Sequence, residues 1–290
     1  MEIAFEALIG LRLFSDRPVE ALQHGEHRGR RLGGRFEFRD YRFYTPGDDL
    51  RRVDWNVYAR TDRVVVKQFY LDAQLPVLLL WDVSRSMAVG EPSPFERGRQ
   101  LCEAVGFLAL HHGERVTAYA LRGGSVEGFS AQSLEQFPLL RRWLEERSPA
   151  TATALGSDLR LIAARERQRG IAVLLSDLFD LEGAEGGLRA LLATGYAPAV
   201  VHLLPPEVLE PDPPESVELE DAETGRSRPI RWDADARLAY RQQLEVFLNR
   251  ARRFCRRRGI RYALVRTDSP LRSVLLSELR AAGILIESPR

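Results

Sequence analysis

Oxygen-bearing side chains follow directly after one of the most apolar runs of the chain. Residues 78–81 are Leu-Leu-Leu-Trp. Asp82 follows directly, and Ser84 and Ser86 come after it at intervals of two residues. Such a run indicates a buried parallel strand, and ligands bind at the carboxyl ends of these strands. Carboxylate and hydroxyl oxygens are ligands of hard divalent cations such as Mg²⁺. The alternative is that the three side chains only cap the following helix, because Asp and Ser are favoured N-caps.

Two further segments offer oxygen ligands where a parallel sheet would bring them together. Asp177 follows the apolar run at 171–176, and Thr151 and Thr153 come just before a predicted helix. The carboxyl ends of parallel strands share one edge of a sheet, so Asp82, Thr153 and Asp177 are expected at the same edge. With these ligands added, a metal site becomes the favoured hypothesis over a helix cap.

The middle of the chain alternates apolar runs with helical patterns, which predicts an α/β fold with a doubly wound, mostly parallel sheet. The predicted strands lie at 77–83, 116–121, 171–178, 199–204 and 260–265. The predicted helices lie at 95–111, 134–147, 155–169 and 187–194. A short edge strand at 126–130 follows a Gly-Gly turn, which is typical of a hairpin.

The sequence divides into two parts at about residue 75. Residues 1–75 are predicted to form a β-rich N-terminal appendage. Two strands are predicted in this appendage, at 35–39 and 64–69. The segment between them at 49–60 is predicted to be either a short helix or a loop. Residues 76–290 are predicted to form the α/β domain. Within this domain, residues 207–232 begin with a proline-rich loop and are predicted to form an exposed hairpin insertion.

Composition argues against several classes of protein. The chain has 290 residues, 42 basic and 41 acidic side chains and a net charge of +1, unlike a protein that coats nucleic acid or an anionic membrane. Cys102 and Cys255 have no metal-like spacing, which indicates buried thiols in a reducing compartment. The sequence shows no signal peptide and no apolar run near the roughly 20 residues of a membrane span. We therefore expect a cytoplasmic protein without a membrane span.

Catalysis is a weaker interpretation than binding. A strand that ends in Asp also presents the nucleophile of some phosphatases, but these need a second carboxylate two residues later, where Ser84 stands. The sequence contains no phosphate-binding loop and no histidine motif that would activate Ser84 or Ser86. We expect that the protein is not an enzyme, and a metal-dependent phosphohydrolase is the alternative.

Nucleic-acid binding is the other alternative. The basic stretch at 27–31 precedes aromatic residues between 36 and 44, and the run at 250–261 surrounds Phe254 with arginines. Interleaved basic and aromatic side chains are typical of single-strand binding platforms. The aromatics could equally form one buried face of a small sheet, and arginines near a helix C-terminus interact favourably with the helix dipole. The net charge near zero argues against nucleic acid as the main partner.

The ligand pattern resembles the metal-ion-dependent adhesion site of von Willebrand factor A domains. That site combines D-x-S-x-S on the first strand, a Thr from a second loop and an Asp at the end of a later strand. The resemblance implies that a divalent cation, Mg²⁺ first and Mn²⁺ or Ca²⁺ as alternatives, is held by Asp82, Ser84, Ser86, Thr153 and Asp177. The family's spacing to the helix favours Thr153 over Thr151. The chain departs from the pattern at 148–150, where Ser-Pro-Ala replaces the usual small residues.

A second motif, in the N-terminal segment, resembles the bacterial domain-of-unknown-function family fifty-eight. It consists of R-D-Y-R-F-Y-T-P-G-D-D at 39–49, R-V-D-W at 52–55 and Ala-Arg at 59–60. Members of this family carry a von Willebrand A-like domain and are often encoded beside MoxR-type AAA+ ATPases. The resemblance implies a metal-ion-dependent protein-binding module, or adaptor. Its expected partner presents an acidic residue and is a MoxR-type ATPase.

Overall fold

The computed structural model describes residues 8–14, 36–46, 48, 50, 53–71, 75–150, 154–220 and 226–288. The chain forms two compact units, Met1–Phe14 with Leu75–Arg290 and Ser15–Gln74. The predicted division at residue 75 placed residues 1–14 in the N-terminal appendage. In the structure the described residues of this segment, 8–14, lie in the α/β unit, because Leu11–Leu13 pairs with Leu285–Glu287 at the other end of the chain.

The strands and helices of the described residues are numbered along the chain. The strands are β1 (Leu11–Leu13), β2 (Phe36–Phe43), β3 (Val65–Leu71), β4 (Pro76–Asp82), β5 (Arg115–Leu121), β6 (Val126–Ala131), β7 (Ile171–Ser176), β8 (Ala197–Leu204), β9 (Ser216–Glu220), β10 (Ser227–Arg231), β11 (Arg261–Arg266) and β12 (Leu285–Glu287). The helices are α1 (Trp55–Thr61), α2 (Pro94–His111), α3 (Phe137–Glu145), α4 (Leu155–Arg165), α5 (Leu181–Ala193), α6 (Pro206–Leu209), α7 (Ala234–Arg257) and α8, which joins Leu271–Ser273, a π-helical turn at Val274–Glu278 and Leu279–Ala281.

Six of the described strands form the central sheet, in the order β11-β8-β7-β4-β5-β6, with every neighbouring pair parallel except β5 and β6. This confirms the predicted α/β fold with a mostly parallel sheet. The chain leaves β4 toward β5 and later returns to β7 on the other side of β4. Ligands of open α/β sheets bind at such a switch in strand order, outside the carboxyl ends of the strands. The ends of β4 and β7 are therefore the expected place for a site.

Both faces of the sheet are covered by helices. Val77, Leu79 and Trp81 of β4 pack into one core with α2, α3 and α8. Leu78 and Leu80, which point to the opposite face, pack into a second core with α4, α5 and α7. All seven residues of β4 are buried. Burial on both faces explains why the central strands are continuously apolar in sequence rather than alternating.

Two predicted bounds differ from those of the structure, and each difference has a physical reason. The strand predicted at 171–178 ends at Ser176, and Leu178 adopts a left-handed φ of 57°. The helix predicted at 187–194 begins already at Leu181. Asp180 caps this earlier start, because its side chain accepts a hydrogen bond from the Gly183 N–H.

The insertion before α7 contains the predicted hairpin. Strands β9 and β10 pair antiparallel, and most of their side chains are exposed. The buried Trp232 packs edge-to-face on Tyr240, with ring centroids 5.6 Å apart, which ties the end of the hairpin to α7. Helix α7 has 24 residues, of which Ala251 and Cys255 are buried. No helix in the described ranges combines the length and the apolar character needed to cross a bilayer.

The second unit contains the antiparallel pair β2 and β3 and the short helix α1, which lies in the segment predicted as helix or loop. Asp54 caps α1 by accepting hydrogen bonds from two N–H groups of its first turn. Arg42 donates two hydrogen bonds of 2.6 Å to Asp48. Tyr41 and Phe43 of β2 are exposed, so the aromatics at these two positions do not form a buried face.

The two cysteines are buried free thiols, as predicted. Burial raises the pKa of Cys102 far above its usual range and that of Cys255 to about 12. Because the thiolate is the reactive form, we expect neither thiol to react with Ellman's reagent in the native protein and both to react after unfolding in urea. Rapid reaction of either thiol in the native protein would contradict this expectation.

Candidate metal centre

The two predicted carboxylate ligands lie at the carboxyl ends of neighbouring strands. Trp81 of β4 pairs with Leu175 of β7, which places Asp82 level with Ser176 and Asp177 one residue beyond. Asp82 and Asp177 are each only 2% exposed. The topology therefore brings both residues, from distant parts of the sequence, to the switch point of the sheet.

Asp82 accepts hydrogen bonds at both of its carboxylate oxygens. The Ser84 N–H donates to Oδ1 at 2.9 Å, and the Ser176 hydroxyl donates to Oδ2 at 2.6 Å. The Oγ atoms of Ser84 and Ser86 lie 3.1 Å apart, and both side chains are buried. Three of the predicted ligands thus form one buried cluster of oxygen atoms.

Asp177 is held in a sharp turn at the end of β7. Its Oδ1 accepts a hydrogen bond from the Phe179 N–H at 3.1 Å, and the Leu178 N–H donates to Ser176 Oγ at 2.9 Å. The left-handed φ of Leu178 costs a non-glycine residue roughly 1–2 kcal/mol. Strained backbone of this kind persists only where the surroundings determine it, and it is concentrated at functional sites. The burial of the Leu178 side chain provides such surroundings.

Thr153 and its alternative Thr151 lie outside the described residues. Immediately before them, the backbone is fixed to the loop after β4, because the Ala150 N–H donates a hydrogen bond of 2.6 Å to the Val83 carbonyl oxygen. The segment at 148–150, where the chain departs from the von Willebrand A pattern, therefore ends at a residue that is bonded to the loop after β4. The chain after them continues into α4, close to the predicted start of that helix.

Two residues that support the cluster were not predicted from the sequence. Ser176 is fully buried and fixes Asp82 through its hydroxyl. His202 of β8 is also fully buried, with Nε2 2.8 Å from the Asp177 carbonyl oxygen and Nδ1 2.7 Å from the Tyr262 hydroxyl. Because a carbonyl oxygen only accepts, Nε2 carries the proton and Nδ1 accepts from Tyr262. The sequence signal that could have identified them is a polar residue in an otherwise apolar strand: Ser176 at the end of β7 and His202 within β8.

The burial of His202 makes the protein sensitive to mild acid. Burial lowers the pKa of His202 to about 3, from the ordinary value of 6.5 that the unfolded chain retains. Between these values the unfolded state binds a proton that the folded state does not. The contribution of His202 to stability is therefore complete above about pH 6.5 and is lost as the pH falls toward 3.

We expect the free energy of unfolding to fall by up to about 1.4 kcal/mol per pH unit through this residue alone. The His202→Gln variant cannot take up the proton, so its stability should depend less steeply on pH. Urea unfolding of both proteins between neutral pH and about pH 5 measures the difference. Equal slopes for the two proteins would contradict a neutral, buried His202.

The donors brought together here are all oxygen atoms. Among the residues that the structure describes, no three His, Cys, Asp or Glu side chains form a group that could hold a metal ion. The candidate site instead offers Asp82 with the hydroxyls of Ser84 and Ser86, and Asp177 at the end of the neighbouring strand. Oxygen donors suit Mg²⁺, Mn²⁺ and Ca²⁺, whereas zinc sites are mostly built from Cys and His. The chemistry of the cluster therefore fits a hard cation.

Several known proteins are similar to this chain in sequence or in chain trace. The conserved hypothetical protein BatB from Bacteroides thetaiotaomicron has a TM-score of 0.43 and 17% identity, over 72% of this chain and 98% of that one. The uncharacterized proteins Mb1516 of Mycobacterium bovis and Rv1480 of Mycobacterium tuberculosis are each 31% identical over 233 residues, which is 78% of this chain and 73% of theirs. The model of the family described as "Protein of unknown function DUF58" matches residues 40–250. The chain therefore belongs to the DUF58 family.

Proposed function

We propose that this protein is a von Willebrand A-like, metal-ion-dependent protein-binding module. The observation that carries the proposal is the buried cluster at the carboxyl ends of β4 and β7, at the switch point of the sheet. There, the Asp82 carboxylate lies beside Ser84, whose hydroxyl is paired with that of Ser86, and Asp177 follows the end of the neighbouring strand. The proposed ligands of the ion are Asp82, Ser84, Ser86, Thr153 and Asp177.

The donor set fits a divalent cation. An ion of charge 2+ balances the charge of two buried carboxylates, and the hydroxyls add ligands without adding charge. When bound, the ion supplies a Lewis-acidic position that a carboxylate of a partner protein can fill. Mg²⁺ is the expected ion, with Mn²⁺ or Ca²⁺ as alternatives.

The residues around the cluster hold the ligands in position. The Ser84 N–H and the Ser176 hydroxyl fix the carboxylate of Asp82, and His202 fixes the backbone of Asp177. Removing a hydrogen bond that holds a metal ligand in position typically lowers metal affinity by about 10–100-fold. A rigid arrangement of ligands also lowers the ordering cost of binding an ion and a partner.

The expected partner follows from this chemistry and from the family resemblance. A protein that presents an Asp or Glu side chain suits an oxygen-seeking cation. MoxR-type AAA+ ATPases are the partners that the resemblance implies, so we propose that the protein acts as an adaptor for such an ATPase. In this role it binds and does not catalyse a reaction.

Biolayer interferometry against a purified MoxR-type ATPase tests the proposal. We expect binding in Mg²⁺, loss of binding in EDTA, and roughly tenfold or greater weakening by Ser84→Ala, which deletes one hydroxyl ligand. Ser130→Ala is a matched control. It also removes a hydroxyl from a pair, because Ser130 Oγ lies 3.0 Å from Thr117 Oγ1 at the edge of the sheet.

Equal affinity in Mg²⁺ and EDTA, or equal effects of Ser84→Ala and Ser130→Ala, would contradict metal-dependent binding. Absence of binding under every condition would remove this ATPase as the partner. Mg²⁺-dependent turnover of a phosphoester that Ser84→Ala abolishes would favour the phosphohydrolase alternative.

A further inference from the structure

A groove of about 640 Å³ lies between helices α5 and α7. Its lining is dominated by arginines, one from α5 and four from α7 or the residue after it: Arg189, Arg250, Arg253, Arg257 and Arg258. Glu185 is the acidic residue among those that line it. The groove therefore carries a local charge of +4, whereas the whole chain carries +1.

Most of this positive charge is not balanced within the protein. Arg250 contacts Glu182 and Glu185 at 3.3 and 3.4 Å. The other four guanidinium groups have no carboxylate within salt-bridge distance among the described residues, although carboxylates pair with many arginines elsewhere on this surface. Guanidinium groups are suited to paired hydrogen bonds with oxyanions, and a concave surface of one sign concentrates its field.

The helix dipole does not account for the arrangement. Basic residues are favourable in the last turn of a helix, and this effect explains Arg256 and Arg257. Arg250 and Arg253 lie before that turn, and Arg189 belongs to the other helix. The convergence of two helices on one groove indicates a site that binds an anionic ligand.

The other lining residues indicate which kind of anion fits. Val246, at one end of the groove, is 62% exposed, and Phe254 is half-buried between the arginines. The Arg258 guanidinium lies over the Phe254 ring, 5.4 Å from its centroid, so one face of this ring is already covered. Stacking of a nucleic-acid base would compete with that contact. An acidic peptide that also carries apolar side chains matches both features of the groove.

We propose that the groove between α5 and α7 binds an acidic segment of a protein partner. Carboxylates of the segment pair with Arg253 and Arg257, which lie one helical turn apart on the same face of α7. An apolar side chain of the segment packs against Val246. This site is separate from the metal cluster, and it requires no ion.

Fluorescence anisotropy with a labelled peptide of Glu and interspersed Leu tests the groove. All titrations contain EDTA, so that the result does not depend on the proposed metal site. We expect Arg253→Ala/Arg257→Ala to weaken peptide binding by about tenfold or more, and the matching Lys/Lys variant to weaken it less, because it keeps the charge. The control Arg228→Ala/Arg237→Ala removes two exposed arginines outside the groove and should leave affinity within about twofold.

Three results would overturn the proposal. The first is no binding of the peptide by the wild-type protein. The second is equal weakening by the groove variant and the control, which would indicate general charge attraction. The third is tighter binding of a single-stranded oligothymidylate that the groove variant abolishes, which would make nucleic acid the ligand. All the substituted arginines are solvent-exposed, and circular dichroism verifies that each variant folds.

Discussion

The Asp82→Asn variant should lose all stabilisation by Mg²⁺ and keep the metal-free fold. The amide oxygen of Asn can still accept the Ser84 N–H, so the turn after β4 is preserved. The negative charge is lost, and with it the main attraction for a cation. Removing one of two buried carboxylates at neighbouring strand ends should also leave metal-free stability unchanged or slightly higher.

Thermal unfolding with and without Mg²⁺ measures this effect. A ligand that binds only the folded state stabilises it by about 2.7 kcal/mol at a concentration one hundred times its Kd. We expect a stabilisation of this order in the wild-type protein and none in Asp82→Asn. The matched control is Asp233→Asn, since Asp233 caps α7 far along the chain and should leave the Mg²⁺ effect intact. A full Mg²⁺ effect in Asp82→Asn would rule out Asp82 as a ligand.

Replacing Asp158 with Ala should produce the largest loss of stability among the polar residues considered. Asp158 lies in the first turn of α4 and is fully buried. Its carboxylate accepts the Gly123 N–H at 2.9 Å and the Gly124 N–H at 2.7 Å, which fixes the turn between β5 and β6. Both glycines have positive φ, so this turn depends on contacts from outside to hold its shape.

We expect Asp158→Ala to lower the free energy of unfolding by about 2–4 kcal/mol, because it removes two charge-assisted hydrogen bonds at a buried position. Asp158→Asn keeps one acceptor oxygen and should lose less. Urea unfolding measures the free-energy change of both variants, and an m-value equal to that of the wild type shows that only stability has changed. A loss for Asp158→Ala below about 0.5 kcal/mol, the usual range of surface substitutions, would contradict this role.

Much of the sheet could be predicted because its central strands are buried on both faces. The runs that became β4 and β7 are continuously apolar, those that became β5, β8 and β11 are mostly apolar, and each run ends at a clear polar or turn residue. The placement of Asp82 and Asp177 at one edge followed from parallel pairing alone. In contrast, β1 and β12 are three residues long, too short for a periodic signal, and only long-range packing determines that they pair.

The start of α5 shows a second limit of sequence reasoning. Gly183 lowers the helix propensity of the first half of this segment, so only the second half, from Gly187 onward, was predicted as helix. The structure requires these glycines, since a Cβ at Gly187 would lie 2.3 Å from Leu159 of α4, and a Cβ at Gly156 of α4 would lie 2.7 Å from Gly183. Tight packing between two helices outweighs local propensity here.

The roles of Ser176 and His202, which support the candidate site, were also not predicted from the sequence. Ser176 and Asp82 are 94 positions apart, and the partners of His202 come from two other segments of the chain. A buried polar residue inside an apolar strand indicates that a partner must exist, because unpaired burial is costly. The sequence alone does not identify that partner.

Isothermal titration of Mg²⁺ into chelator-treated protein tests the central claim most directly. We predict saturable binding of one ion per chain by the wild-type protein, similar binding of Mn²⁺, and no detectable binding by Asp177→Asn. If the wild-type protein bound none of Mg²⁺, Mn²⁺ and Ca²⁺, or if Asp177→Asn bound as well as the wild type, the proposed metal centre would be contradicted.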